Sequence, residues 1–184
     1  MRKFLAFFLF LAVLAESHTD ACTNVIVTPG ASKDGSSLVS YAADSHVLYG
    51  ELYFHPAARF KAGSQLAIRE WDTNKPLGSI AQVARTYQTV GNMNQHQLII
   101  AETTWGGRPE LQDPEGIMDY GSLIYITLQR AKTAREAIEV IVDLANTYGY
   151  ASSGETFSIA DTKEAWIMDL VGKGPGDKGI VWVA

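Results

Sequence analysis

The chain carries one cysteine, Cys22, at the head of Cys22-Thr23-Asn24-Val25-Ile26-Val27. If the polypeptide is cut after Ala21, Cys22 presents a thiol and a free α-amine on the same residue. A free thiol titrates at about 8.5 and an α-amine at about 8, so near neutral pH the amine can take the thiol's proton. The thiolate then attacks an amide carbonyl, the ammonium protonates the leaving amine, and water hydrolyses the acyl-enzyme with the same amine as base. No distant histidine is required. His18, His46, His55 and His96 form no dyad motif with Cys22, and no His-x-x-x-His or cysteine pair suggests a metal. No cofactor is implied. A lone cysteine in an exported chain cannot make an intrachain disulfide, so it is a reactive thiol, an intermolecular bridge or an inert buried side chain.

Two further stretches carry polar groups in useful places. Val25-Ile26-Val27 and Leu38-Val39-Ser40-Tyr41-Ala42 read as strands joined through Asp34-Gly35. An antiparallel hairpin brings the Tyr41–Asp44 end beside Cys22. Asp44 is then a candidate partner for the α-ammonium or a substrate amine, the plain alternative being a residue that only starts a turn. Leu98-Ile99-Ile100-Ala101 reads as a buried strand and runs into Glu102-Thr103-Thr104-Trp105-Gly106-Gly107. That run suits a pocket wall: Glu102 holds a substrate ammonium, and Tyr41 and Thr103 line the pocket. The alternative is a polar loop with a tryptophan lid.

The elements that position these groups follow from composition and patterning. With 184 residues, 47% hydrophobic and 19% charged, the chain has the makings of one folded domain with a real core. A net charge of −5, scattered, offers no basic face for nucleic acid. Residues 1–21 stand apart. Arg2-Lys3 is followed by an apolar run from Phe4 to Ala15, too short to span a bilayer, and then by polar residues. This is a signal-peptide pattern. One cut leaves Glu16 first, with a short propeptide 16–21 to lose; another leaves Cys22 first. A retained anchor and a lipoprotein are the weaker readings. The expected site of action is secreted, periplasmic or lumenal, with no stable membrane insertion after leader removal.

Glu51–His55, Leu66–Trp71 and Thr86–Val90 read as strands, with Asn74-Lys75-Pro76 and Gly78 as loop markers. Tyr120–Arg130 reads as a helix. A second follows Thr133, with Glu136 completing a capping box and Gly149 at the end in a left-handed cap. Gly154–Ala160 and Ala165–Leu170 are paired strands around a tight turn, with Phe157, Ile159, Trp166 and Met168 on the buried face. Gly172–Gly179 is a glycine-rich loop without the Gly-Lys-Ser/Thr ending of a phosphate loop. The apolar strand Gly179–Ala184 predicts cover on both faces, and its position at the end predicts a chain cut inside its domain. The class is α+β, helices on a mostly antiparallel sheet.

Cys22-Thr23-Asn24-Val25-Ile26-Val27, Ala31-Ser32-Lys33-Asp34-Gly35-Ser36 and Asp44 resemble the start of the dipeptidase A and secernin family of N-terminal-nucleophile cysteine peptidases. The resemblance continues through Asn94-Gln95-His96-Gln97-Leu98, Glu102-Thr103-Thr104, Thr133–Ile138, Tyr148-Gly149-Tyr150 and Gly154-Glu155-Thr156-Phe157. It implies an αββα sandwich over residues 22–184 as the N-terminal part of the domain, and hydrolysis of dipeptides with Cys22 as nucleophile and Asp44 as a supporting acid. Many members carry arginine where Tyr41 stands, and the family's oxyanion-hole asparagine is expected beyond Ala184. The partner is a small peptide substrate, and a homo-oligomer stays open. Two rival readings remain: an amidase or acylase of the bile-salt or penicillin V type with the same chemistry, and a truncated, inactive secreted domain.

Overall fold

A computed structural model describes residues 22–44 and 50–184; the leader reading on residues 1–21 lies outside them. In chain order the strands are β1 (Thr23–Val27), β2 (Leu38–Ala42), β3 (Phe54–His55), β4 (Ala58–Arg59), β5 (Gln65–Arg69), β6 (Pro76–Ala81), β7 (Arg85–Thr86), β8 (Thr89–Val90), β9 (Met93–Asn94) and β10 (Ile99–Gly106). Two helices follow, α1 (Tyr120–Arg130) and α2 (Ala134–Tyr148), then β11 (Gly154–Ala160), β12 (Ala165–Gly172) and β13 (Ile180–Val183).

β1 and β2 form the expected hairpin, with Thr23 opposite Ala42 and Val27 opposite Leu38. The Asp34 carboxylate accepts from the Ser36 amide and hydroxyl at 3.1 and 2.6 Å, and Gly35 takes φ 76°, which closes the turn. The main sheet has seven strands in the order β13-β12-β11-β10-β9-β8-β3, antiparallel throughout. β4 pairs with β7 and β5 with β6 as separate ribbons.

The β10–β11 register sets up the site. Ile100, Glu102 and Phe157 lie opposite Ile159, Phe157 and Glu102 in turn, and Thr104 lies opposite Glu155. Side chains two apart on a strand share a face. One face therefore carries Ile100, Glu102 and Thr104 with Ile159, Phe157 and Glu155, extended by Met168 and Leu170 of β12. α1 and α2 cover this face: Leu123, Leu128, Ile141 and Ala145 pack with Ile100, Phe157, Ile159 and Met168 in one apolar core. Two carboxylates, Glu102 and Glu155, thus point to the side the helices bury, 2% and 1% exposed. The β1–β2 hairpin lies against β10 and β11.

The helix ends obey local chemistry. The Asp119 carboxylate caps α1, accepting from Ser122 N at 3.1 Å, and its other oxygen accepts from Trp71 N at 2.7 Å. Thr133 caps α2 through Glu136 N at 3.2 Å. The Glu136 carboxylate reaches Lys132 N at 2.8 Å, one residue earlier than a regular capping box requires. Gly149 has φ 81° as expected of a cap glycine, but ψ 152° is extended, so the chain leaves the helix directly into its bridge at Tyr150.

Several expectations are corrected. The strand at Glu51–His55 shrinks to Phe54–His55. Thr86–Val90 splits into β7 and β8, because Tyr87 N donates to Gln129 O of α1 at 2.8 Å instead of joining the ladder. Asn74 turns at φ 60°, and Pro76 begins β6, a strand where the sequence suggested a loop; the first strand position tolerates the missing N–H. β10 runs on through Glu102–Gly106 instead of stopping at Ala101. In β13 only Ile180 is buried; Val181, Trp182 and Val183 are exposed.

Candidate active site

Cys22 stands just before β1, and the hairpin register brings Tyr41 alongside it. Both side chains converge on one carboxylate. Cys22 Sγ donates to Glu102 Oε1 at 3.2 Å, and the Tyr41 hydroxyl donates to the same oxygen at 2.6 Å. Burial pushes the Cys22 thiol up to about 11, aided by the hydrogen bond and negative charge of Glu102; the backbone amides of Asp44 and Thr104 pull it down. Burial, then Glu102, likewise drives the Tyr41 phenol well above its ordinary range, so it stays a donor. With the chain as it stands, Cys22 is a thiol at neutral pH.

The other Glu102 oxygen faces Thr104, whose hydroxyl lies 3.3 Å from Glu102 Oε2 and 3.0 Å from both Glu155 oxygens. Among the described residues neither carboxylate has an ion pair with a basic side chain. Burial raises Glu155 to about 9, with the adjacent Glu102 charge and hydrogen bond adding to it. Nearby, the Tyr120 hydroxyl donates to Asp72 Oδ1 at 2.7 Å. Burial and Asp72 hold that phenol protonated, with smaller contributions from Glu102 and Glu155.

Trp105 sits where β10 bulges between Thr104 and Gly106. A Cβ on Gly154 would come within 2.6 Å of the Trp105 ring, so the glycine lets the indole lie flat over the start of β11. The ring is nearly half exposed.

Asn24 secures the hairpin: its Nδ2 donates to Glu102 O at 2.9 Å and to Ser158 Oγ at 3.2 Å.

Of the residues singled out from sequence, Cys22, Tyr41 and Glu102 are brought into direct contact. Asp44 is exposed, and it is its backbone amide that faces Sγ. Thr103 does not join the cluster. Strand alternation turns it to the other face, where it lines an open cleft of about 380 Å³ with Asn24, Ile26, Thr156, Ser158 and Ile167. Sequence reasoning gave no role to Glu155, Asn24, Asp72 or Tyr120, and Thr104 entered only as part of the pocket-wall run. The signal for Glu155 was present only jointly: it requires knowing that Gly154–Ala160 pairs with β10 in this register. Among the described residues no group of three or more His, Cys, Asp or Glu is arranged to hold a metal ion.

One comparison bears on this arrangement. The model of Peptidase family C69 matches residues 54–184, which include Glu102, Thr104 and Glu155, while Cys22, Asn24, Tyr41 and Asp44 precede the matched span. With most of its length so matched, and a thiol set against the matched carboxylate, the chain belongs to Peptidase family C69, the dipeptidase A and secernin family.

Proposed function

We propose that this peptidase is an exported cysteine dipeptidase whose nucleophile, Cys22, becomes the first residue once residues 1–21 are removed. In this reading the helices, the main sheet and the hairpin are successive layers of an N-terminal-nucleophile αββα sandwich. The observation that carries it is the meeting of the Cys22 thiol and the buried Glu102 carboxylate at 3.2 Å, on a hairpin that presents the residue from its very start.

The freed α-amine takes the thiol proton, and Sγ attacks the peptide carbonyl. The backbone amides of Asp44 and Thr104 favour the thiolate, against burial and the Glu102 charge. The α-ammonium protonates the leaving amine, and water completes hydrolysis with the amine as base. Glu102, with no basic side chain paired to it among the described residues, together with Asp72 and Asp44 makes the neighbourhood acidic. That favours a substrate with a free α-ammonium close to its scissile bond, as in a dipeptide.

The test is to sequence the N-terminus of secreted protein and assay dipeptides beside N-acylated amides. Cys22→Ala is expected to abolish hydrolysis and Cys22→Ser to leave a small residue. Full activity in a chain beginning at Glu16 defeats the mechanism. Preference for N-acylated amides over dipeptides points to the acylase reading.

A further inference from the structure

The Thr104 hydroxyl has one hydrogen, yet it lies within hydrogen-bond distance of two buried carboxyl groups, 3.3 Å from Glu102 and 3.0 Å from Glu155. One hydrogen cannot serve two carboxylates. If Glu155 carries a proton, it donates to Thr104 Oγ1, which is then free to donate to Glu102 Oε2, and both short contacts of the hydroxyl become hydrogen bonds. Glu102 is the end of the chain suited to be the anion, since Cys22, Tyr41 and Thr104 all donate to it. The alternative, two charges buried against one hydroxyl with no cation paired to either among the described residues, is strongly disfavoured.

We propose that Glu102 and Glu155 share a single proton through Thr104, so that Glu155 is a positioning residue that fixes the charge facing Cys22 at one negative. This rests on the reading of Cys22 as nucleophile. A single negative charge matches a single cation, the α-ammonium of Cys22 or of the substrate. A second charge would oppose thiolate formation at Sγ. Glu155 is faced by Glu102 and Thr104 from β10, Asp72 from the turn after β5, Tyr120 from α1 and Tyr150 from the segment after α2; its cross-strand neighbour on β12 is the uncharged Leu170. None of these supplies a positive charge. Burial and the Glu102 charge both work to keep the Glu155 proton in place. Loss of that proton above neutral pH therefore switches the thiol off.

Cys22 is the only cysteine, so the rate of iodoacetamide alkylation against pH reports this site alone and needs no substrate. In the secreted protein the alkylation profile is expected to flatten on its alkaline side, and kcat/KM to fall there. Glu155→Gln, which keeps its hydrogens at every pH, is expected to make both effects shallower, leaving only the limb set by the α-ammonium, with kcat/KM at neutral pH lowered by less than about tenfold. Glu155→Asp, still ionisable, is expected to restore the steeper limb. If Glu155→Gln leaves the limb as steep as in the parent, or folds with a loss beyond about a hundredfold at neutral pH as removal of a true base would give, the shared proton is refuted. Should Glu155→Gln not fold, Thr104→Ser and Thr104→Val decide: the limb stays in the first and shifts in the second, and identical profiles refute the link. Because alkylation is read without substrate, a failure of the dipeptidase reading shows separately, as an intact alkylation profile in a protein that cleaves no dipeptide.

Discussion

Burial and the Glu102 carboxylate set the Cys22 thiol against ionising while its amine is locked in a peptide bond. Burial and the Glu102 hydrogen bond push it to about 11, so at neutral pH almost none is thiolate. A freed α-ammonium one residue-length away adds the positive charge that lowers it. A chain that retains residues upstream of Cys22 is therefore expected to be alkylated by iodoacetamide at neutral pH at least about tenfold more slowly than the Cys22-first chain, since one pKa unit is a tenfold change in thiolate fraction. Mass spectrometry of both forms gives the rates, and equal rates would remove the amine from the mechanism. Cys22, Tyr41 and Glu102 were legible from residue type and a hairpin argument. Thr103 was drawn into the same pocket wall as Glu102, whereas β10 runs on as a strand and sends the two to opposite sides.

At the scale of elements, what could be read was what is long or locally capped. Tyr120–Arg130, Leu38–Ala42 and Gly154–Ala160 end where their sequences say they should, but two-residue strands such as β4 and β9 carry no periodicity to read. The junction between α2 and the β11–β12 turn shows how such ends are fixed. Thr133→Ala, which removes the bond to Glu136 N, is expected to cost about 1 kcal/mol by chemical denaturation. Asp161 acts from outside the helix. Its carboxylate accepts from the amides of Ala134, Lys163 and Glu164 at 2.9, 2.8 and 3.0 Å. Burial alone would raise its pKa, but these three donors together hold it below the ordinary carboxylate value. A group lowered in the folded state contributes stability above its unfolded pKa and loses it as pH falls through the folded one. Asp161→Asn is thus expected to lower the melting temperature at neutral pH and to narrow its gap to the parent at acid pH. A gap that stays constant down to the most acid condition at which the parent still folds would show that the charge contributes nothing.

Across the whole molecule, the Cys22 thiol and the acids it meets belong to different elements. The acids stand on a seven-stranded sheet buried under two helices; Cys22 rides on a separate two-stranded hairpin with no ladder pairing to that sheet. What aligns the two is a handful of side-chain bonds: Asn24 to Glu102 O and Ser158 Oγ, Tyr41 to Glu102, and Cys22 itself. The layering could be anticipated from the α+β pattern, but not this docking, because Asn24 reads as one more residue of a strand until its partners 78 and 134 positions away are in place. The arrangement separates stability from alignment. Asn24→Ala removes two neutral hydrogen bonds at a partly buried position, a loss of about 1–2 kcal/mol. It also frees the hairpin to shift against β10, and a displacement of about 1 Å at a nucleophile can cost about a hundredfold in rate. The variant is expected to melt only slightly below the parent while kcat/KM falls by one to two orders of magnitude, about tenfold to a hundredfold, with amide exchange quickening in β1 and unchanged in β11. A fall in activity no larger than the loss of folded protein, or quickened exchange spread evenly over both layers, would mean that the hairpin is held by the fold at large and that Asn24 has no special part in aiming the thiol.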